Sequence, residues 1–472
     1  MKKILLRAGK SPEQVFSAHE TLDNNPIGNN SGNLMFAAAA HKLLSTAGTE
    51  VVPTTLRYGQ WTPERVNEEF DAFVLPLANA FRPKFEAELL TITRLIEKLQ
   101  IPVVMLSGGA QLGLGGDGSA LAPMESTIKR FAKAVLERSS HLSVRGETTR
   151  KYLNSLGFND VVTVGCPSMC LWGPEHRVEK PTATLGPDAK IAYNVETGRD
   201  FLQEFVEFNE GVHPLTYVGQ DRKTLEMMLW GRDAFAKGRD PRLPLTVQHK
   251  QFTSGTARFY LDAYRWIADM RNVDYSVGPR IHGNIASILA GTPATVIAHD
   301  SRTAELADYH GIPYKYASEI SATTDMAELY AETDFSKLNS GQAERFGCVA
   351  GFLAENGLAN IYDADQRDAL ETYERRIARI EFPAAVEPVT ARLAGDDVDR
   401  ISRLRQKSVG LERQVKVLSE QLAEQQKSTT EKIGNLEKKL GSVIASNDGG
   451  RSNSLDKVVP QVTSAVRKVF RR

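Results

Sequence analysis

Apolar and polar residues alternate along the chain in two rhythms. Strand-length apolar runs fall at residues 4–7, 51–56, 73–78, 103–106, 142–145 and 161–164. Between them, apolar positions recur at helical spacing over 34–44, 85–99, 126–137 and 148–156. This alternation predicts a parallel sheet with helices on both faces. Ile101-Pro102-Val103-Val104-Met105-Leu106 is nearly unbroken, as in a strand buried on both sides. Residues 172–188 then carry Gly173, Pro174, Pro181, Gly186 and Pro187, the composition of a linker. The alternation resumes with strands predicted at 191–195, 215–218, 245–248, 274–277 and 295–298. Helices are predicted at 222–236, 257–270, 284–290 and 303–309. The expected class is α/β, with two doubly wound Rossmann-like halves at 1–175 and 188–320. In such folds ligands bind at the carboxyl ends of the strands, so the cleft between the halves is the expected site.

Beyond them, 321–383 reads as a helical segment packing on the body, and 387–399 as a polar linker. Over 401–444, Ile401, Leu404, Leu411, Val415, Leu418 and Leu422 keep 3–4 spacing, with Ser408 in one seam position. Ile433, Leu436, Leu440 and Ile444 resume the seam in a shifted register. This predicts a coiled coil with a discontinuity, hence a homo-oligomer, against the alternative of a single helix folding back on the body. Residues 457–472 hold five basic and no acidic side chains, with Val458, Val462, Val466 and Val469 near one helical face. That amphipathic tail suits peripheral contact with an anionic membrane, against the plainer reading of a solvated end.

Composition narrows the function classes. Lys+Arg and Asp+Glu each total 58, and zero net charge argues against a dedicated nucleic-acid binder. Three cysteines, Cys166, Cys170 and Cys348, suit a reducing cytoplasm, and they read as structural thiols rather than metal ligands. No apolar run reaches 18 residues, and the opening apolar stretch turns charged at Arg7, so it reads as a strand. The expected location is cytoplasmic, extending to the inner face of the membrane if the tail binds there.

Candidate chemistry clusters where predicted strands end. Gly278-Pro279-Arg280-Ile281-His282-Gly283-Asn284 joins a strand to a helix. Arg280 offers a permanent forked charge for carboxylate or phosphate, and His282 a proton near neutral pH. Helix-start amides point the same way. Ser143-Val144-Arg145-Gly146-Glu147 repeats that topology for Arg145. Its plainer reading is a surface arginine paired with Glu147. Asn25-Pro26-Ile27-Gly28-Asn29-Asn30-Ser31-Gly32-Asn33 is a loop rich in amides, suited to sugar hydroxyls or to a long capped turn. His299-Asp300-Ser301-Arg302 is a further ligand candidate or a helix cap, and His249 a lesser one. Gly113, Gly115 and Gly118 match the dinucleotide spacing formally, but they sit six residues past a strand and read as a cleft loop.

Together these residues resemble the polysaccharide pyruvyl transferase family. The resemblance rests on Gly28 to Leu34, Ser143 to Glu147, Gly165-Cys166-Pro167-Ser168, Arg280-Ile281-His282-Gly283 through Ala290-Gly291-Thr292-Pro293, Asp300-Ser301-Arg302-Thr303 and Gly311-Ile312-Pro313. It covers about residues 1–320 and leaves out the coiled coil and tail. It implies a fold like the two-domain glycosyltransferase B type, phosphoenolpyruvate as donor, a free or lipid-linked saccharide as acceptor, and no metal or organic cofactor. Under it, His282 and Arg280 are catalytic, with His282 either the general acid or only a ligand of the phosphate, and Arg145, Arg280, His282, Asp300 and Arg302 bind the donor. Asn29, Asn30 and Asn33 hold the acceptor. Two readings compete: a glycosyltransferase using a nucleotide sugar, and a non-catalytic assembly protein working through its coiled coil.

Overall fold

The computed structural model describes residues 1–447 apart from Leu114, Gly115, Arg199 and Ala394. The basic tail at 457–472 lies outside the described residues, as does part of the glycine-rich loop. Residues 1–398 form one compact unit, and the chain from Asp399 onward forms a second.

The first unit contains two parallel sheets. In the first sheet the strands are β1 (Lys2–Leu6), β2 (Thr49–Pro53), β3 (Ala72–Pro76) and β4 (Val103–Leu106), ordered β2-β1-β3-β4. A pair, β5 (Leu142–Val144) and β6 (Val161–Thr163), continues beyond β4 through a single bridge from Gly108 to Val144. In the second sheet the strands are β7 (Ile191–Tyr193), β8 (Leu215–Gly219), β9 (Arg258–Phe259), β10 (Tyr275–Gly278), β11 (Ala294–Ala298) and β12 (Tyr314–Tyr316). Their order is β12-β11-β10-β7-β8-β9. β3 and β11 are buried at every position, as continuous apolar strands covered on both faces must be.

Each sheet winds outward from its first strand in one direction and then in the other. The reversal lies between β1 and β3 in the first sheet and between β7 and β10 in the second. At such a point neighbouring connections leave in opposite directions and open a crevice at the strand ends. The helix Gly32–Leu44 ties the sheets together. It is apolar nearly all round, the pattern of a fully buried helix. Leu34, Met35 and Phe36 join the core of the second sheet, whereas Ala40, Leu43 and Leu44 join that beneath β1 and β3. The helix Ser336–Glu355 adds Phe346, Val349 and Phe352 to that same core.

Several expectations need correction. Residues 245–248 form turns, not a strand. Leu243, Leu245 and Val247 are buried, so the alternation was real, but the Leu245 amide donates to the Leu243 carbonyl and the Val247 amide to Asp233 rather than to a neighbouring strand. The edge position goes instead to β9, where Val218 pairs with Arg258. The helix expected at 257–270 starts at Ala263, where Asp262 accepts from the amides of Tyr264 and Arg265. That expected at 222–236 ends at Trp230, capped by Gly231 with φ of 58°. The expected linker at 387–399 holds a short turn, Val389–Ala391, and a helix already under way at Gly395. That helix runs unbroken to Asn447. No helix among the described residues is long and apolar enough to cross a membrane.

Candidate functional site

A cavity of about 600 Å³ opens at the carboxyl ends of β1, β3, β7 and β10, where both sheets reverse direction. Arg145, Arg280, His282 and Arg302 line it together with Asn29, Asn30 and Asn33. Asp300 is not in its lining.

The turn after β10 is held from several sides. Gly278 has φ of 145°, and a Cβ there would lie 2.3 Å from the Asn194 carbonyl. Asn194 Oδ1 accepts from the Arg280 amide at 2.6 Å. The buried Asn284 amide accepts from Ser276 Oγ at 2.9 Å and donates to the Gly278 carbonyl at 2.8 Å. The helix therefore begins at Ile281, three residues earlier than its apolar pattern predicts, and His282 sits in its first turn.

Arg280 is already partnered. Its Nη2 bonds to Asp221 and, at 2.9 Å, to Thr197 Oγ1, and Glu196 lies 3.9 Å from Nε. Burial would lower its pKa, but Asp221 and Glu196 outweigh that and raise it. Glu196 is lowered in turn, because Arg280 and the Gly198 amide overcome burial.

His282 sits between the Gly32–Leu44 helix and the turn after β6. Its Nε2 is 3.7 Å from Cys166 Sγ, and its ring stands edge-on to Phe36. The helix start at Gly32 packs so closely that a Cβ there would fall 2.8 Å from His282 Cβ. Burial, then the charges of Arg145, Arg302 and Arg280, push the imidazole pKa down to about 3. His282 is therefore neutral at pH 7.

Arg145 follows β5 and is 2% exposed. It folds over Gly109, whose missing side chain leaves room for the Arg145 Cδ and Nε. Its Nε and Nη2 are buried without hydrogen-bond partners among the described residues. Burial lowers its pKa to about 10, with Cys166 opposing and Arg302 adding to the effect. A buried guanidinium with unanswered donors is costly unless an anion completes it. Arg302 bonds to Asp300 at 3.1 Å. With its amide oxygen turned inward, Asn79 accepts from Arg302 at 2.6 Å and from Arg82 at 3.0 Å. Asp300 also caps the helix Ser301–His310 by accepting from the Thr303 amide at 2.8 Å. It thus works as a cap and as a support for Arg302.

The asparagine loop spends its amides on its own shape. Gly28 and Asn29 take positive φ, 54° and 70°. Asn25 and Asn29 bond to each other, Asn30 Oδ1 accepts from the Gly32 amide, and Asn33 donates to the Ile27 carbonyl. The loop then docks on the end of β8: Ser31 donates to the Gln220 carbonyl at 2.8 Å, and Asn30 bridges to Asp221. His249 lies elsewhere, capping the helix Lys250–Thr253.

Sequence reasoning missed Asn79, Arg82, Glu196 and Asp221, all in or beside the cavity. Each follows a strand end, the same signal that exposed Arg145 and Arg280. What hid Asn79, Glu196 and Asp221 is that their meaning comes from partners over 20 residues away, Arg302 and Arg280.

Comparison with known proteins gives the following. A family model described as polysaccharide pyruvyl transferase matches residues 30–301, over half of the chain. No curated protein sequence matches. Among solved structures, S. aureus MnaA with UDP is similar at 13% identity over 81% of this chain and 99% of its own, with a TM-score of 0.39. The Methanocaldococcus jannaschii UDP-GlcNAc 2-epimerase with UDP-GlcNAc and UDP is similar at 10% identity over 75% and 99%, with a TM-score of 0.40. Anabaena HepE with UDP and glucose is similar at 12% identity over 80% and 100%, with a TM-score of 0.37. With its matched span running from the asparagine loop to the start of the Ser301–His310 helix, the chain belongs to the polysaccharide pyruvyl transferase family.

Proposed function

We propose that this cavity transfers a pyruvyl group from phosphoenolpyruvate to two hydroxyls of a saccharide, closing a cyclic ketal. In this reading the two sheets belong to Rossmann-like halves of a glycosyltransferase B-like enzyme, the first serving the acceptor and the second the donor. The observation that carries it is the buried Arg145 guanidinium with two unanswered donors, beside Arg302 and His282. Such a group calls for an anion with at least two acceptor oxygens. Phosphoenolpyruvate offers a carboxylate and a phosphate on three carbons, enough to span Arg145, Arg302 and Arg82.

Arg280 keeps the role of donor ligand, but it must share its charge with Asp221. Donor binding would supply the negative charge that the neutral His282 lacks. The imidazole then takes up a proton and delivers it to the donor methylene carbon. The C2 centre becomes oxocarbenium-like, a sugar hydroxyl adds, phosphate leaves, and the second hydroxyl closes the ring. General acid catalysis of this kind contributes roughly 10²–10⁴-fold. The acceptor would lie against the loop of Asn29, Asn30 and Asn33.

The direct test incubates the protein with phosphoenolpyruvate and a panel of methyl hexopyranosides. The expected result is inorganic phosphate release with a matching pyruvyl mass gain on a sugar. Release of a nucleoside diphosphate from nucleotide sugars, with phosphoenolpyruvate untouched, would replace this reading with a glycosyltransferase.

A further inference from the structure

Asp221 is the first residue after the Gln220 turn and occupies the N-cap position of the helix Arg222–Trp230. Aspartate is favoured there because its carboxylate caps the free amides. Asp221 makes no such cap bond. Its carboxylate turns into the cavity instead, where Oδ2 accepts from Thr197 Oγ1 at 2.8 Å and from Arg280 Nη2. Both bonds fall on Oδ2, and Oδ1 carries none among the described residues. The backbone of Asp221 meanwhile bridges to Asn30, and the next amide donates to the Asn29 carbonyl at 3.1 Å. This one residue therefore joins the loop assigned to the acceptor and the arginine assigned to the donor.

The other carboxylates on the cavity are engaged with residues outside the asparagine loop. Glu88 holds Arg7 at 2.6 Å. Asp262 caps a helix and pairs with buried Lys10 at 3.0 Å. Glu196 accepts from the Gly198 amide and lies within 4 Å of both Arg280 and His299.

Resting on the pyruvyl transfer reading, we infer that Asp221 is the base that takes the proton from the attacking acceptor hydroxyl. His282 gives its proton to donor C3, leaving C2 electron-poor. The first hydroxyl oxygen bonds to C2 while its proton passes to Asp221 Oδ1. The C2–O bond to phosphate breaks, and the proton on Asp221 goes to the departing phosphate. The second hydroxyl then adds to C2, and its proton restores His282. Of the two hydroxyl protons, one is finally balanced by the new methyl group and one leaves on phosphate, so no co-reactant is consumed. Arg280 and Thr197 hold Oδ2, which leaves Oδ1 to face the sugar.

The experiment measures phosphate release, and phosphoenolpyruvate affinity by calorimetry, for the wild type, Asp221→Asn, Asp221→Ala, Asp221→Glu and Glu196→Gln. The expected outcome is a loss of about 100-fold or more in kcat for Asp221→Asn, with donor affinity within about threefold of wild type. Added formate should restore at least tenfold to Asp221→Ala, because a small carboxylate fills the vacated place, and should do nothing for Glu196→Gln. Asp221→Glu keeps the Arg280 pair and should retain more activity than Asp221→Asn, a comparison that stands even if the alanine variant folds poorly. Near-wild-type turnover in Asp221→Asn, or a fall in donor affinity that accounts for the whole loss, would overturn the inference while leaving the transferase reading intact. Failure of formate to rescue would also overturn it. A wild type that releases no phosphate with any sugar overturns both.

Discussion

At the scale of single residues, the cavity is a set of arginines sorted by whether they are already answered. Arg7 is neutralised by Glu88, and Arg280 by Asp221. Arg145 is not paired within ion-pair distance among the described residues, and its burial is paid for by the rest of the fold. Arg145→Met should therefore separate stability from function. Donor affinity should fall about 10- to 100-fold, in line with hydrogen bonds to a charged group. Melting temperature should hold or rise, since a desolvated charge has been removed. A parallel loss of both would mean that Arg145 is a structural prop.

The second residue-scale prediction concerns His282. Pushed down to about 3, its pKa keeps it neutral between that value and the ordinary imidazole range. Bound negative charge favours the imidazolium, so the bound pKa must be higher than the free one. Donor binding should then draw in a proton, and affinity should strengthen as pH falls from 8 to 6. Calorimetry in buffers of different ionisation enthalpy reads that uptake directly. His282→Ala should lose the uptake and about 10²–10⁴ in kcat. Equal uptake in both proteins would assign the proton to the donor itself. The sequence displayed Arg145, Arg280, His282 and Arg302 because basic residues just past apolar runs stand out. It could not reveal that Arg280 is spoken for, because Asp221 lies 59 residues away.

At the scale of elements, periodicity located most strands and helices, and local chemistry decided their ends. Local bonds of the Leu245 and Val247 amides replaced an apparent strand at 245–248, and caps at Asp262 and Gly231 shortened two helices. The element that most shapes the site is the helix Gly32–Leu44, whose first turn presses on His282. Gly32→Ala tests that contact. Gly32 is the first residue of that helix, so alanine gains little of the roughly 1 kcal/mol it holds over glycine in a helix interior. The added Cβ would stand 2.8 Å from His282 Cβ, so the imidazole must move. A displacement of this order at a reacting group can cost about 100-fold. The expected variant melts within a few degrees of wild type but turns over about 10- to 100-fold more slowly. Unchanged turnover would show that the ring can shift without consequence.

At the scale of the whole molecule, the helix Gly395–Asn447 poses a problem of exposed apolar surface. Leu404, Leu411, Val415, Leu418 and Leu422 are 57% to 63% exposed, on one seam. Isolated apolar side chains on a surface are ordinary, but a repeating row along one helix is not. Branched Ile401 and Val415 alternate with Leu404, Leu411 and Leu418 in the manner of a two-stranded coiled coil. After Leu422 the next seam residue, Ile433, comes 11 positions later, a four-residue insertion in the heptad that locally unwinds a supercoil. A second copy of the chain is the partner this pattern suits, which would bring two copies of the cavity into one particle. Replacing Leu411 and Leu418 together with Asp places charges in two layers of that seam, one on each side of Val415. Sedimentation of the full chain should then show wild type as a dimer or larger, and the double variant as a monomer with its phosphate release unchanged. A monomeric wild type at micromolar concentration would remove self-association as the purpose of the stripe. An inactive but folded monomer would mean instead that pairing supports the site itself.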